Sequence, residues 1–213
     1  MYIRSHMLPK EKLTTVQLDD NLKSVLEKID SDNFLSLPVF DKEKFKGIIM
    51  KETIYRTYFE NSENDKESYL NNTKVKEIYN EEYKSISGDE GIEKASYLLK
   101  ELGTPFLPVF DDQNRFMGIL THHAIFKAFT EAFGLDKGTR IVVNMFNLPG
   151  QIARLTEVIR KEDINIMNLT TVDPEVLDLM QVIIRIDIGS KKLDRLIEKM
   201  QLAGFKIGEI SSK

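Results

Sequence analysis

One stretch of this chain occurs twice, and that repetition limits the fold more than anything else in the sequence. Leu37-Pro-Val-Phe-Asp-Lys-Glu-Lys-Phe-Lys-Gly-Ile-Ile-Met50 returns as Leu107-Pro-Val-Phe-Asp-Asp-Gln-Asn-Arg-Phe-Met-Gly-Ile-Leu-Thr121, about 70 residues later. In both, an apolar run reaches Pro-Val-Phe, passes an Asp-led polar turn, re-enters at Gly-Ile and continues into a helix. A fixed period of this length marks one supersecondary unit used twice.

The repeat extends outward from this core. Ile3-Arg-Ser-His-Met7 matches Val75-Lys-Glu-Ile-Tyr79, so the first copy starts at the beginning of the sequence. Short extended segments follow at Leu13–Val16 and Tyr83–Ile86. Apolar residues at helical spacing come next: Leu22, Val25, Leu26 and Ile29, then Ile92, Ala95, Leu99 and Leu102. Closing helices carry Ile54, Tyr55, Tyr58 and Phe59 in one copy and Ile125, Phe126, Phe129 and Phe133 in the other. Each copy reads β, α, β, β, α. Between them, Glu60–Ser68 is polar and acidic with almost no apolar side chain to offset its ordering entropy, and reads as a solvated linker or helix tail.

The pattern changes at Gly134-Leu-Asp-Lys-Gly138, and no third copy follows. Ile141, Val143 and Met145 alternate as a strand, Asn147-Leu-Pro-Gly-Gln151 turns the chain, and Ile152, Leu155 and Ile159 form a helical stripe. Strands are expected at 164–172 and 180–188, a helix carries Leu193, Leu196, Ile197 and Met200, and a last strand spans 205–210. This β-α-β-β-α-β order is the ferredoxin-like arrangement. The expected boundaries are 1–60, a linker at 61–73, 74–134 and 139–213.

Composition narrows the function. The 213 residues are 41% hydrophobic and 30% charged, an ordinary globular balance with ample core. No apolar run has the length of a membrane span and no secretory h-region opens the chain; zero cysteines remove disulfides and thiolate sites and suit a cytoplasmic protein. A net charge of −4 without a basic face argues against a nucleic-acid partner. His122 and His123 are adjacent with no HxxxH spacing or carboxylate partner, which argues against a metal. There is no Walker-type loop, Gly-x-Ser-x-Gly or His-Glu-x-x-His. The chain is not expected to be an enzyme, and no catalytic residue or cofactor is assigned.

The two copies resemble CBS domains, whose recurring core is a Leu-Pro-Val-x-Asp strand, a Gly-containing strand end and a following helix. The C-terminal part resembles an ACT domain, whose marker is the Asx-x-Pro-Gly turn seen here at Asn147, Leu148, Pro149 and Gly150. The layout, including Met7-Leu-Pro-Lys-Glu-Lys-Leu-Thr-Thr15, is similar to bacterial CBS-ACT proteins, among them the cyclic-di-AMP-binding and acetoin-utilisation regulatory types. The expected fold is therefore an α/β (α+β) tandem CBS pair followed by a ferredoxin-like βαββαβ ACT domain.

That resemblance implies clefts for adenosine-containing ligands, formed here by Thr15, Phe34, Leu35 and Ser36 from copy one and Ser85, Thr104, Pro105 and Phe106 from copy two. Thr121 and His122, at the start of a helix, would meet a phosphate. The family's usual ribose-binding Asp is replaced by Ala124 and Thr53, and Met50 replaces the preceding Thr. Without that clamp for a free 2′,3′-diol, cyclic-di-AMP is expected ahead of AMP or ATP. For the C-terminal unit the resemblance implies an effector amino acid at Asn147–Gln151, on a subunit interface. Each singled-out residue also has a purely structural reading: Pro38 and Pro108 as strand ends, Gly47 and Gly118 as close packing, Thr121 as a helix cap. Two functions stay open: a nucleotide-sensing homodimer that signals to an unidentified protein partner, or an assembly protein with empty clefts.

Overall fold

A computed structural model describes residues 1–61, 65–135, 137–176 and 178–212. Contacts divide it into one compact unit spanning Met1–Ala128 and another spanning Phe129–Lys213.

In the first unit, copy one supplies β2 (Val16–Gln17), α1 (Leu22–Ser31), β3 (Ser36–Asp41), β4 (Lys44–Met50) and α2 (Lys51–Asn61). Copy two supplies β5 (Ile86–Ser87), α4 (Ile92–Leu102), β6 (Phe106–Phe110), β7 (Phe116–Thr121) and the start of α5 (His122–Phe133), whose last turn, from Phe129, belongs to the second unit. Helix α1 starts where the Asn21 side chain accepts the Ser24 amide, and it buries Leu22, Val25, Leu26 and Ile29. The expected stripe of α4 is likewise buried at Ile92, Ala95 and Leu99. After each helix comes a left-handed residue, Asn33 (φ 56°) or Gly103 (φ 57°), which ends the helix and turns the chain into the next strand.

The sheets are β2-β3-β4 and β1-β7-β6-β5, where β1 is Leu8–Pro9. Strand β1 lies near the start of copy one yet pairs with β7 of copy two, Leu8 opposite Ile119 and Pro9 opposite Gly118. The reciprocal contact is made by Asn80, which precedes the rest of copy two and exchanges two backbone hydrogen bonds with Ile48 of β4, at 2.9 and 2.8 Å. The opening turns are exchanged too. Ile3 and Arg4 amides donate to Glu90 and Gly88 carbonyls, as Val75 and Lys76 amides donate to Asp20 and Leu18. The openings at Ile3–Ser5 and Val75–Glu77 are thus 3-10 turns that each complete the other copy.

Between the sheets lies an aromatic cluster. Phe45 and Phe116, the same position in the two copies, stack face to face at 4.8 Å with an interplanar angle of 4°. Phe40 and Phe110, again repeat-related, meet Phe116 and Phe45 edge-on. Phe106 and Ile119 are buried beside them.

The acidic stretch is not a solvated linker throughout. Residues 62–64 lie outside the described residues, but Lys66–Asn72 form a helix, α3. Asp65 caps it by accepting the Glu67 and Ser68 amides, and Tyr69 is buried with its hydroxyl donating to the Ile54 carbonyl. Leu70 packs on the same core as Tyr69, and Glu67 pairs with Lys23 of α1, so a short polar helix is docked by two side chains, an ion pair and a cap. Helix α5 also differs from its expected stripe, because Ile125 and Ala128 are buried whereas Phe126 faces outward.

The second unit has the ferredoxin-like fold. Its elements are β8 (Thr139–Phe146), α6 (Gln151–Lys161), β9 (Ile166–Val172), β10 (Leu179–Ile186), α7 (Ser190–Leu202) and β11 (Lys206–Ser212), in a sheet ordered β11-β8-β10-β9. Ile141, Val143, Val182, Ile184 and Ile186 meet Leu155, Ile159, Leu196 and Met200 in one core. On the other face the Arg185 guanidinium is buried and donates to the Lys137 carbonyl, and the Asn168 side chain donates to the Ala132 carbonyl at the end of α5.

The helices α6 and α7 are joined through Glu162, whose side chain is 9% exposed and meets both Lys199 and Arg195. The hydrogen bond from Lys199 holds the Glu162 carboxyl below the usual carboxylate range, against the opposing effect of burial. A depressed folded-state pKa stabilises above the unfolded-state value and is lost as pH falls through the folded-state value. Glu162→Gln should accordingly lower the melting temperature at pH 7, with the difference closing as the pH falls below the carboxylate range. A melting-temperature gap unchanged between pH 7 and pH 3 would rule this role out.

Candidate functional site

Two helices of the first unit start at one cleft. Strand β4 runs directly into α2 at Lys51, and β7 runs directly into α5 at His122, so the repeat places two helix N-termini side by side. The cleft, about 760 Å³, is lined by Leu35, Met50, Tyr55 and Pro105 as apolar walls and by Lys51, Glu52, Thr104, Thr121, His122 and His123 as polar groups.

Thr121 caps α5, its hydroxyl oxygen accepting the Ala124 amide at 3.2 Å, so its own proton stays available to an acceptor in the cleft. The His122 Nδ1 lies 3.3 Å from the Pro105 carbonyl, which orients the ring beside the start of the neighbouring strand β6. In copy one, Met50 offers no cap, and Lys51 instead anchors the start of α2. Its amide donates to the Leu35 carbonyl at 2.9 Å and its ammonium to Asp30 at 2.5 Å. That hydrogen bond to Asp30 raises the Lys51 pKa above its ordinary value, although partial desolvation works against it. Glu52 is the carboxylate on the cleft wall, and it pairs with Arg56 one turn on. The cleft thus gathers two helix N-termini, the Thr121 hydroxyl and two imidazoles, while its lysine is paired with Asp30 and its carboxylate with Arg56.

A second cavity, about 590 Å³, shares Met50, Gly103, Thr104 and Pro105 with the first and adds Ile48, Asn80–Lys84 and Leu102. With Glu81 and Glu82 on its wall, it suits an uncharged planar group better than a phosphate.

Of the expected residues, Leu35, Thr104, Pro105, Thr121 and His122 are brought together. The others are elsewhere. The Phe106 ring is 3% exposed and packs between the sheets, so the wall expected of it is supplied by Gly103–Pro105. Ser85 lines a separate cleft of about 240 Å³ with Phe110, Asp111 and Asp112. The Thr15 carbonyl accepts the Lys28 ammonium, Ser36 sits opposite Met50 within the β3–β4 pair, and the Phe34 amide closes α1 on the Ile29 carbonyl. Lys51, Tyr55, His123 and Asn80–Lys84 were not expected. The signal for them was the repeat itself, since a cleft built by one copy's helix start draws the equivalent positions of the other copy.

In the second unit, Asn147–Gly150 form the turn from β8 to α6, with Gly150 left-handed at φ 85° and the Asn147 amide donating to the Asp178 carbonyl. Leu148 is exposed, and Gln151 opens α6 on the rim of a cavity of about 560 Å³. Among the described residues no cluster of three or more His, Cys, Asp or Glu side chains is arranged to hold a metal, and no helix is long and apolar enough to cross a membrane.

The CBS domain family model matches residues 4–60 and again 75–131, more than half of the chain. The chain belongs to the CBS domain family. Solved structures similar to its CBS pair include a CBS domain-containing protein from Bacillus anthracis, at 23% identity over 62% of this chain and 94% of that one, with a TM-score of 0.54. Another is CBSX2 in complex with AMP, at 22% identity over 61% of this chain and 96% of that one, TM-score 0.53. A third is CbpB in complex with c-di-AMP, at 26% identity over 62% of this chain and 85% of that one, TM-score 0.51. No curated protein matches the sequence significantly.

Proposed function

We propose that this protein is a regulatory nucleotide sensor whose CBS pair binds cyclic-di-AMP in preference to AMP or ATP. The observation that carries the reading is the pair of repeat-related helix starts opening into one cleft. A ring with two phosphates and two-fold symmetry presents one anion to each helix end, and the adjoining cavity beyond Pro105 takes an adenine between Ile48, Met50 and Tyr83. At the two positions where a carboxylate would grip a free ribose diol stand Thr53 and Ala124. In a cyclic dinucleotide the 3′-oxygens are esterified and only the 2′-hydroxyls stay free, so a two-point diol clamp is not needed, and one negative charge fewer faces each phosphate. The likeness to CbpB, solved with c-di-AMP, supports the same choice.

The Asn147-Leu-Pro-Gly turn, placed between β8 and α6 of a ferredoxin-like unit, supports reading that unit as an ACT domain through which the signal reaches a protein partner. Two modules that commonly self-associate support a homodimer closed by two-fold symmetry. Light scattering that shows a stable monomer at micromolar concentration would count against it.

Calorimetric titration with cyclic-di-AMP, AMP and ATP tests the ligand. Cyclic-di-AMP should bind tightest and, at 100 times its Kd, add about 2.7 kcal/mol to stability. Thr121→Ala should cost about 1 kcal/mol of binding, or roughly fivefold in Kd, while Thr121→Ser retains it. Tighter binding of AMP overturns the ligand choice, and no response to any adenine nucleotide leaves the assembly role.

A further inference from the structure

The cavity at one end of the ferredoxin-like unit has a composition that the nucleotide reading does not use. It lies where β8 leaves the sheet, enclosed by the start of α6, the loop before β10 and the α7–β11 turn, and its volume is about 560 Å³. Its apolar wall is made by Met145, Phe146, Val176, Leu179 and Phe205. Phe146 and Val176 are more than half exposed, so part of this apolar wall faces solvent. Its charged lining consists of Arg154 and Lys206, with no Asp or Glu among the lining residues.

Arg154 is the informative residue. In this acidic chain Arg4, Arg56, Arg115, Arg140, Arg160 and Arg195 each hold a carboxylate. Among the described residues none pairs with Arg185, which is buried on the Lys137 carbonyl, or with Arg154, which lines the cavity. Its guanidinium is instead positioned by neutral groups. It donates to the Ala203 carbonyl at 3.1 Å and to Gln151 at 3.4 Å, and it stands 5.8 Å over the Phe205 ring. A planar guanidinium at the mouth of an apolar cavity, held by neutral groups, has the geometry to pair with a carboxylate.

We infer that this cavity binds a small amphipathic organic acid, its carboxylate on Arg154 and its apolar body against Phe146, Val176 and Phe205. The absence of an acidic side chain from the lining separates this ligand from an α-amino acid, whose ammonium would be left without a carboxylate partner. The side-chain amides of Asn144 and Gln181 are already hydrogen-bonded to each other at 3.0 Å and close one side of the cavity as a neutral pair. The site shares no residue with the nucleotide cleft, so its failure and that of the nucleotide reading are read separately.

Titration of the full-length protein with phenylpyruvate, octanoate, L-phenylalanine and 2-phenylethylamine, followed by amide NMR shifts, tests the inference. Phenylpyruvate and octanoate should move resonances of residues 144–154 and 203–206, with L-phenylalanine weaker and the amine silent. Arg154→Met, which keeps the stem, should weaken both acids at least tenfold, and Arg154→Lys should recover part of the loss. Circular dichroism checks that both variants keep the fold. Acid binding unaffected by Arg154→Met, or no shift at millimolar acid, overturns the site. Tighter binding of L-phenylalanine than of phenylpyruvate overturns the ligand class.

Discussion

Phe45→Ala is expected to destabilise the CBS pair by about 3–5 kcal/mol, the usual cost of removing a buried phenylalanine. Phe45 is 5% exposed and meets four aromatic rings, stacked on Phe116 and edge-on to Phe40, Tyr83 and Phe110. Two of these partners come from the same copy and the opposite copy at equivalent positions, so truncation leaves a hole at the contact between sheets, where neither backbone is free to close in. Phe45→Leu refills most of the volume and should cost much less. Chemical denaturation followed by a probe in the first unit reads the difference, and a loss below 1 kcal/mol for Phe45→Ala would show that the aromatic cluster is peripheral.

The second large effect is expected at a glycine. A Cβ added at Gly47 would stand 2.1 Å from the Asn80 carbonyl oxygen, and one at Gly118 would stand 2.2 Å from the Leu8 carbonyl oxygen. Both obstacles are backbone and both belong to the exchanged segment, so the strand pair must part for the side chain to fit. Parting it removes the Ile48–Asn80 hydrogen bonds or the β1–β7 pair and leaves their partners unsatisfied. Gly47→Ala or Gly118→Ala should cost about 3 kcal/mol or more, at the upper end of overpacking effects. Gly189→Ala is the control, since Gly189 has φ −77° and nothing within 4 Å of its added Cβ. If the three variants melt together, the glycines are not there to admit the exchanged segments.

The sequence carried the repeat, the ferredoxin-like order and most helix faces, because each rests on local periodicity: 2 for strands such as Ile141–Met145 and 3.6 for α1 or α6. The helix α3 was illegible for the same reason. Its polar run has no period to detect, and its docking rests on the adjacent pair Tyr69 and Leu70, an ion pair from Glu67 and a cap at Asp65. At the cleft, Thr121 and His122 could be placed because a helix start is visible as a break between strand and helix patterns. Phe106 could not, since in a strand buried on both faces, alternation no longer tells which side chain meets a cavity and which meets the opposing sheet. Nor could Asn80 and its neighbours, whose position depends on the exchange between copies. Of the Arg154 cavity only the Asn147–Gln151 turn at its edge was legible, because its other walls come from separate segments that only the fold brings to one end.

The reciprocal exchange of opening segments has a consequence for how the chain is made. Translation delivers Ile3–Pro9 first, but the carbonyls and strand edge that receive it, at Gly88, Glu90 and Gly118–Ile119, are among the last parts of the unit to be made. The edge of β4 likewise waits for Asn80. A nascent chain halted before β7 therefore carries an unpaired β1 and an unfinished sheet. The CBS pair reaches its native form in a late step, once β7 clears the ribosome, rather than one copy at a time.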